Sequence, residues 1–252
     1  MGLVLPASAG PLKIYLLVGQ SNMQGHAAER TLEHLGMDPK TAPLLKAIRN
    51  PDGTAKLQRD VWISSIEPSL ESGEKHGRLT VGYGAGGREP KIGPELTFGI
   101  TMQNHVGEPI LLIKTSWGGK SLNTDFRPPS AGPYEFNQQQ LENFKKRGKD
   151  VAEARKEKTE RTGVYYRLML EHIHKVLADI RRVYPDYDAK AGYELAGFVP
   201  DERGRYVAAA DAILAALAQD YLADPDLDEP FLLDHSVGSV PGRFEVNHSL
   251  LS

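Results

Sequence analysis

Leu12-Lys13-Ile14-Tyr15-Leu16-Leu17-Val18-Gly19-Gln20-Ser21-Asn22-Met23-Gln24-Gly25 is the stretch from which the fold can be read. Leu12, Ile14, Leu16, Leu17 and Val18 are aliphatic, and Tyr15 is the one aromatic among them. A run this short and this apolar fits a strand buried on both faces, the kind found in parallel sheets. It stops abruptly at Gly-Gln-Ser-Asn, where the residues are small, polar and able to turn. Open α/β sheets carry their chemistry at the carboxyl ends of such strands. Ser21 therefore has two readings. It is the N-cap of a following helix, or it is a nucleophile flanked by Gly19 and Gly25.

Working outward, two more apolar runs have the same character. Pro109-Ile110-Leu111-Leu112-Ile113-Lys114-Thr115 ends in the glycine turn Ser116-Trp117-Gly118-Gly119-Lys120-Ser121-Leu122. Glycines there let backbone N–H groups approach a ligand oxygen, or the turn is only tight and Trp117 a packing anchor. Glu194-Leu195-Ala196-Gly197-Phe198-Val199 is the third run, stopped by Pro200. Asp60-Val61-Trp62-Ile63-Ser64-Ser65-Ile66 alternates as a strand does. Helices are expected over 23–35, around 44–48, over 95–105 behind Pro94, and over 166–180, where apolar residues recur every three or four positions. Residues 135–161 mix both signs of charge and read as a solvated helical face broken near Gly148. Residues 68–77 read as a polar loop. Gly82-Tyr83-Gly84-Ala85-Gly86-Gly87 has the spacing of a dinucleotide turn, but Pro90, Gly93 and Pro94 interrupt any helix behind it. It reads as a flexible loop. The alternation of strands and helices predicts an α/β fold, a three-layer α/β/α sandwich with a mostly parallel sheet.

The 252 residues suit one domain over 12–252, with enough chain to bury a core. A net charge of −3 offers no attraction for nucleic acid or an anionic membrane surface. No apolar stretch has the length of a membrane span. The absence of cysteine excludes thiol chemistry and disulfides. Residues 1–11 contain Leu3-Val4-Leu5 followed by Ala7-Ser8-Ala9. They read either as the remnant of a signal peptide or as a disordered N-terminus. The first reading makes the protein secreted or periplasmic, the second leaves it cytoplasmic.

Gly19-Gln20-Ser21-Asn22-Met23-x-Gly25 resembles the nucleophile block of the SGNH-type esterases, whose fold is flavodoxin-like. It is most similar to the sialate O-acetylesterase domain, related to carbohydrate esterase family six. Ile92-Gly93-Pro94-Glu95-Leu96 resembles that family's Gly-Pro-Glu helix start, and the stretch from Ile113 to Leu122 its second glycine block. Tyr193-Glu194-Leu195-Ala196-Gly197-Phe198-Val199 is similar to the strand before its third block. The likeness runs over about residues 12 to 199.

The resemblance implies a serine esterase that removes O-acetyl groups from a carbohydrate, of the sialate or acetylxylan type. Ser21 would form an acyl-enzyme, a histidine would act as base and a carboxylate would orient it. Gln20, Asn22, Gly118 and Gly119 would bind the substrate or its oxyanion. No metal or organic cofactor enters this chemistry. The family pattern continues with Trp-x-Gln-Gly and closes on Asp-x-x-His. Here Pro200-Asp201-Glu202-Arg203-Gly204 follows the third strand. The remaining acid–histidine pairs are Glu245 with His248, taken as orienter and base, and Asp234 with His235. His26 lies five residues from Ser21, although the family gives it no role. The alternative is a carbohydrate-binding pseudoenzyme that keeps the pocket without the catalytic histidine. A lipid or general ester hydrolase ranks lower, because no long apolar segment suggests a lid.

Overall fold

The computed structural model describes residues 10–66 and 73–198. Strand β1 (Leu12–Gly19) leads into a single helical turn, α1 (Ser21–Gln24), and a two-residue strand, β2 (Ala27–Ala28). A 3-10 helix (Glu29–Met37) and helix α2 (Ala42–Ile48) follow. Strands β3 (Val61–Ile66), β4 (Glu74–Arg78) and β5 (Lys91–Ile92) precede helix α3 (Pro94–Val106) and strand β6 (Ile110–Ser116). Helices α4 (Gln138–Lys146), α5 (Val151–Arg161) and α6 (Val164–Ala178) then lead to strand β7 (Tyr193–Phe198).

The main sheet has five strands in the order β4-β3-β6-β1-β7. Only β4 runs antiparallel to its neighbour. Side chains of successive strand residues go to opposite faces. Leu12, Ile14, Leu16 and Val18 of β1, with Leu111 and Ile113 of β6, face α6 and pack on Tyr166, Met169, Ile173 and Val176. Leu17, Ile110, Leu112, Val61 and Ile63 face the other way, onto Leu96, Phe98 and Met102 of α3 and onto Leu32 and Ile48. The result is a three-layer α/β/α sandwich. Ile14, Leu16, Leu17 and Ile110 to Ile113 have no solvent exposure. Each such side chain contributes about 1.5–3 kcal/mol of burial.

Within that sandwich β6 occupies the place beside β1 that the second parallel strand holds in the flavodoxin order. The register sets Gly19 against Ser116. The two strands therefore end together, and Trp117 N–H extends the ladder to Gly19 O at 3.3 Å.

Three expectations are corrected. No single helix spans 23–35: Gly25 ends α1 at φ +79, and the chain then turns into β2 and a 3-10 helix. Part of the segment read as a polar loop is a strand, β4, whose sequence Glu-Lys-His-Gly-Arg lacks apolar alternation. The stretch from Gly82 to Gly87 is a loop, but not a loose one. Tyr83, Gly84 and Ala85 are buried, and Gly84 N–H and Ala85 N–H donate to Lys91 O and Gly25 O at 2.9 and 2.7 Å. The charged region 135–161 does divide into two capped helices, α4 through Asn137 and Gln140 and α5 through Asp150. Among the described residues no helix is long and apolar enough to cross a membrane.

A polar cluster fastens β3, β4 and α6. Ser64 Oγ donates to Glu74 Oε1 at 2.7 Å and stands 3.1 Å from His172 Nε2. Lys175 Nζ and Arg182 Nη2 donate to the Glu74 carboxylate at 2.7 and 2.8 Å. Burial pushes the His172 imidazole down to about 4, only partly opposed by the Glu74 charge. For Glu74, burial acts upward, but the hydrogen bonds from Arg182, Lys175 and Ser64 outweigh it and hold the carboxyl at about 2.

Both groups bind a proton more readily in the unfolded chain, so both withdraw stability as the pH falls. The window for His172 runs from its ordinary 6.5 down to about 4, and that for Glu74 from 4.5 down to about 2. Chemical denaturation between pH 7 and pH 4 is expected to show a loss on the order of 3 kcal/mol. Replacing His172→Gln is expected to flatten that limb while leaving the decline below pH 4.5 in place.

Candidate active site

The site begins where β1 ends. Gln20 has φ −112 and ψ −139, outside the helical region, and α1 starts with Ser21 itself. No side chain caps this turn, so Ser21 is not an N-cap. Met23 points down into the core with no exposure and pins the turn, while Ser21 is half-buried and Asn22 exposed. At Gly25 a Cβ would overlap Gly93 Cα, and the positive φ also disfavours any side chain. This backbone contact brings Gly93-Pro94-Glu95 against α1.

Beneath the turn lies an ion pair. Lys114 Nζ, on β6, donates to Glu95 Oε2 at 2.6 Å, to Tyr83 O at 2.7 Å and to Gln24 O at 3.0 Å. The side chains of Lys114 and Glu95 are 1% and 0% exposed. Glu95 Oε1 accepts from Gly93 N–H at 2.9 Å. One ammonium thus ties together β6, the end of α1, the loop containing Tyr83 and the start of α3. Burial raises the Tyr83 phenol to about 12.

The turn after β6 forms the facing wall. Gly118 N–H donates to Gln24 Oε1 at 2.9 Å and Gly119 N–H to Gln20 Oε1 at 3.4 Å. Ser21 Oγ donates to the same Gln20 Oε1 at 2.8 Å. A Cβ built on Gly118 would lie 3.0 Å from Gln24 Oε1, 3.8 Å from Ser21 Cβ and 3.9 Å from His26 Nε2. Gly118 therefore forms the floor of a small exposed cradle walled by Ser21, Gln24 and His26. Trp117 is buried behind it, 5.0 Å from the Tyr165 ring and 5.8 Å from Phe126. The packing-anchor reading of Trp117 holds. Lys120 caps the Tyr165 ring at 4.3 Å.

Of the residues singled out in the sequence, Gln20, Ser21, Gly118 and Gly119 meet at one point, and Asn22 extends from the same turn. His248, Glu245, Asp234 and His235 lie outside the described residues, as does the segment 200–204. Lys114, Glu95 as its partner, and Gln24 were not read as parts of the site. For Lys114 a signal existed: a lone charge inside Ile-Leu-Leu-Ile-Lys-Thr-Ser must find a partner if the strand is buried. Gln24 carried no such mark.

Comparison with known proteins adds three findings. Residues 11–160 match the family model described as "carbohydrate esterase, sialic acid-specific acetylesterase". No curated protein matches the chain. A solved structure of a protein from Arabidopsis thaliana is similar over 84% of this chain and 70% of its own length, at 14% identity and a TM-score of 0.37.

The buried pair generates a stability prediction. Lys114→Met leaves the Glu95 carboxylate buried without its ammonium and is expected to cost about 3–5 kcal/mol in denaturant unfolding. The double variant Lys114→Met, Glu95→Leu is expected to recover a large part of that loss. An additive double variant would show that the two side chains do not act as a pair.

Proposed function

The chain belongs to the sialic acid-specific acetylesterase family of carbohydrate esterases, and from that premise we propose that it removes O-acetyl groups from a carbohydrate through an acyl-enzyme on Ser21. The observation that carries the proposal is the meeting of the Ser21 hydroxyl with the glycine turn of β6, through one shared oxygen, at the carboxyl end of two adjacent parallel strands.

In the first step Ser21 Oγ attacks the acetyl carbonyl carbon and its proton passes to a histidine. The tetrahedral oxyanion is held by backbone N–H groups, those of Ser21 and of Gly118 or Gly119, with Gln20 and Asn22 close by. Losing one such donor typically costs about 100- to 1000-fold in rate. Collapse expels the sugar hydroxyl, which takes the proton from the histidine. Water then attacks the acetyl-serine and gives a proton to the same base; collapse releases acetate, and the leaving Ser21 oxygen takes that proton back. His248, oriented by Glu245, is our first assignment for that base, and His235 beside Asp234 the second. Two-step transfer of this kind runs on protein groups alone.

The second reading is a carbohydrate-binding protein that has lost turnover. Its support is in the sequence, where Pro200-Asp201-Glu202-Arg203-Gly204 stands in place of the family's Trp-x-Gln-Gly block. A serine without its base loses several orders of magnitude in rate.

Covalent labelling separates the two. A small organophosphonate is expected to modify the wild type at Ser21 and not the Ser21→Ala variant, as read by intact mass and peptide mapping. Turnover of p-nitrophenyl acetate well above that of longer acyl esters is expected alongside. His248→Ala is expected to lose labelling while His235→Ala keeps it. An unlabelled wild type that still binds acetylated sugar would overturn the esterase reading in favour of the binding protein.

A further inference from the structure

The two backbone donors offered by the turn after β6 are not equivalent. Gly118 N–H meets Gln24 Oε1 at 2.9 Å. Gln24 is half-buried, and its own backbone carbonyl accepts from Lys114 Nζ at 3.0 Å. The Gly118 donor is therefore tied into the framework that the buried ion pair holds. Gly119 N–H meets Gln20 Oε1 at 3.4 Å, the long end of a hydrogen bond. Gln20 is exposed, and its oxygen also accepts from Ser21 Oγ at 2.8 Å. The amide must present its oxygen rather than its NH2 group, because Gly119 can only donate.

One sp² carbonyl oxygen thus touches both the serine hydroxyl and a backbone N–H of the facing wall. The acyl oxygen of an ester held for attack by Ser21 would accept from the same backbone N–H, with Ser21 Oγ turned to the adjacent carbonyl carbon. We propose that Gln20 is a positioning residue whose side-chain carbonyl occupies the acyl-oxygen seat of the resting site, on Ser21 Oγ and Gly119 N–H, and that the substrate's acyl oxygen displaces it. Gly119 then becomes the donor that the substrate gains, while Gly118 stays on Gln24. The proposal rests on the reading of Ser21 as nucleophile.

Displacing Gln20 weighs equally on the bound ester and on the transition state. Its removal therefore lowers KM. Gln20→Ala is expected to lower KM for p-nitrophenyl acetate by about three- to tenfold, the net strength of one hydrogen bond. Gln20→Glu offers a stronger acceptor to the same two donors. It is expected to raise KM at neutral pH, and the increase is expected to disappear as the carboxyl is protonated in acid.

A measurement without turnover keeps this separate from the esterase reading. Acetate titrated into the full chain, followed by the Gly119 amide resonance, is expected to bind Gln20→Ala about three- to tenfold more tightly than wild type. Equal or weaker acetate binding in the variant overturns the proposal. So does a Gln20→Ala enzyme with unchanged KM and lowered kcat, which would make Gln20 a support for the serine. If the wild type neither turns over nor labels, the acyl-enzyme reading fails, and the acetate titration by itself decides whether Gln20 fills the seat.

Discussion

An ammonium and a carboxylate, both closed off from water, hold the working end of this sheet together. Lys114 and Glu95 come from neighbouring elements, β6 and α3. A buried ion pair contributes little net stability, because desolvation of both ions nearly cancels their attraction. What this pair contributes is geometry. The ammonium has three donors, and Glu95 takes only one of them. The others go to the backbone carbonyls of Gln24 and Tyr83, and Glu95 in turn receives Gly93 N–H. An apolar pair of the same volume could fill the space but could not fix two loops at once.

The position of the serine follows from that frame and from strand order. With β6 beside β1 and both strands ending in register, the turn carrying Gly118 and Gly119 leaves the sheet next to the turn carrying Ser21. The contact of Gly25 with Gly93 closes the same corner from the α3 side. Two side-chain amides, Gln20 and Gln24, then span the gap between the two turns. The site is built from backbone and short side chains on rigid elements, a suitable base for chemistry that depends on fixed donors.

Much of this was legible in the sequence, and for identifiable reasons. The three apolar runs revealed β1, β6 and β7, because strands of a parallel sheet carry a near-continuous hydrophobic signal. Pro94 with Glu95 located the start of α3. The glycines at 118 and 119 pointed to the facing wall. What failed were features defined by partners distant in sequence. Strand β4 was hidden because its residues satisfy charges on α6 and the segment after it rather than burying an apolar face. The break at Gly25 inside the helix expected over 23–35 was hidden because Gly25 is set by a backbone contact with Gly93, which no local pattern reveals. The glycines from 82 to 87 suggested looseness, whereas Gly84 has no side chain because a Cβ there would press on the backbone of Lys91 at 2.7 Å.

Strand β4 has one more consequence. It closes the sheet on the side away from β7, and its outer hydrogen-bonding groups have no strand beside them among the described residues. An exposed sheet edge is a template on which another chain can add itself. Glu74-Lys75-His76-Gly77-Arg78 offers such an intruder a charged strand of five residues with a glycine at φ +144 near its end. The same polar sequence that concealed the strand from a hydrophobic pattern also makes it a poor surface for edge-to-edge growth. Of these residues Glu74 carries the attachment to α6, through Lys175.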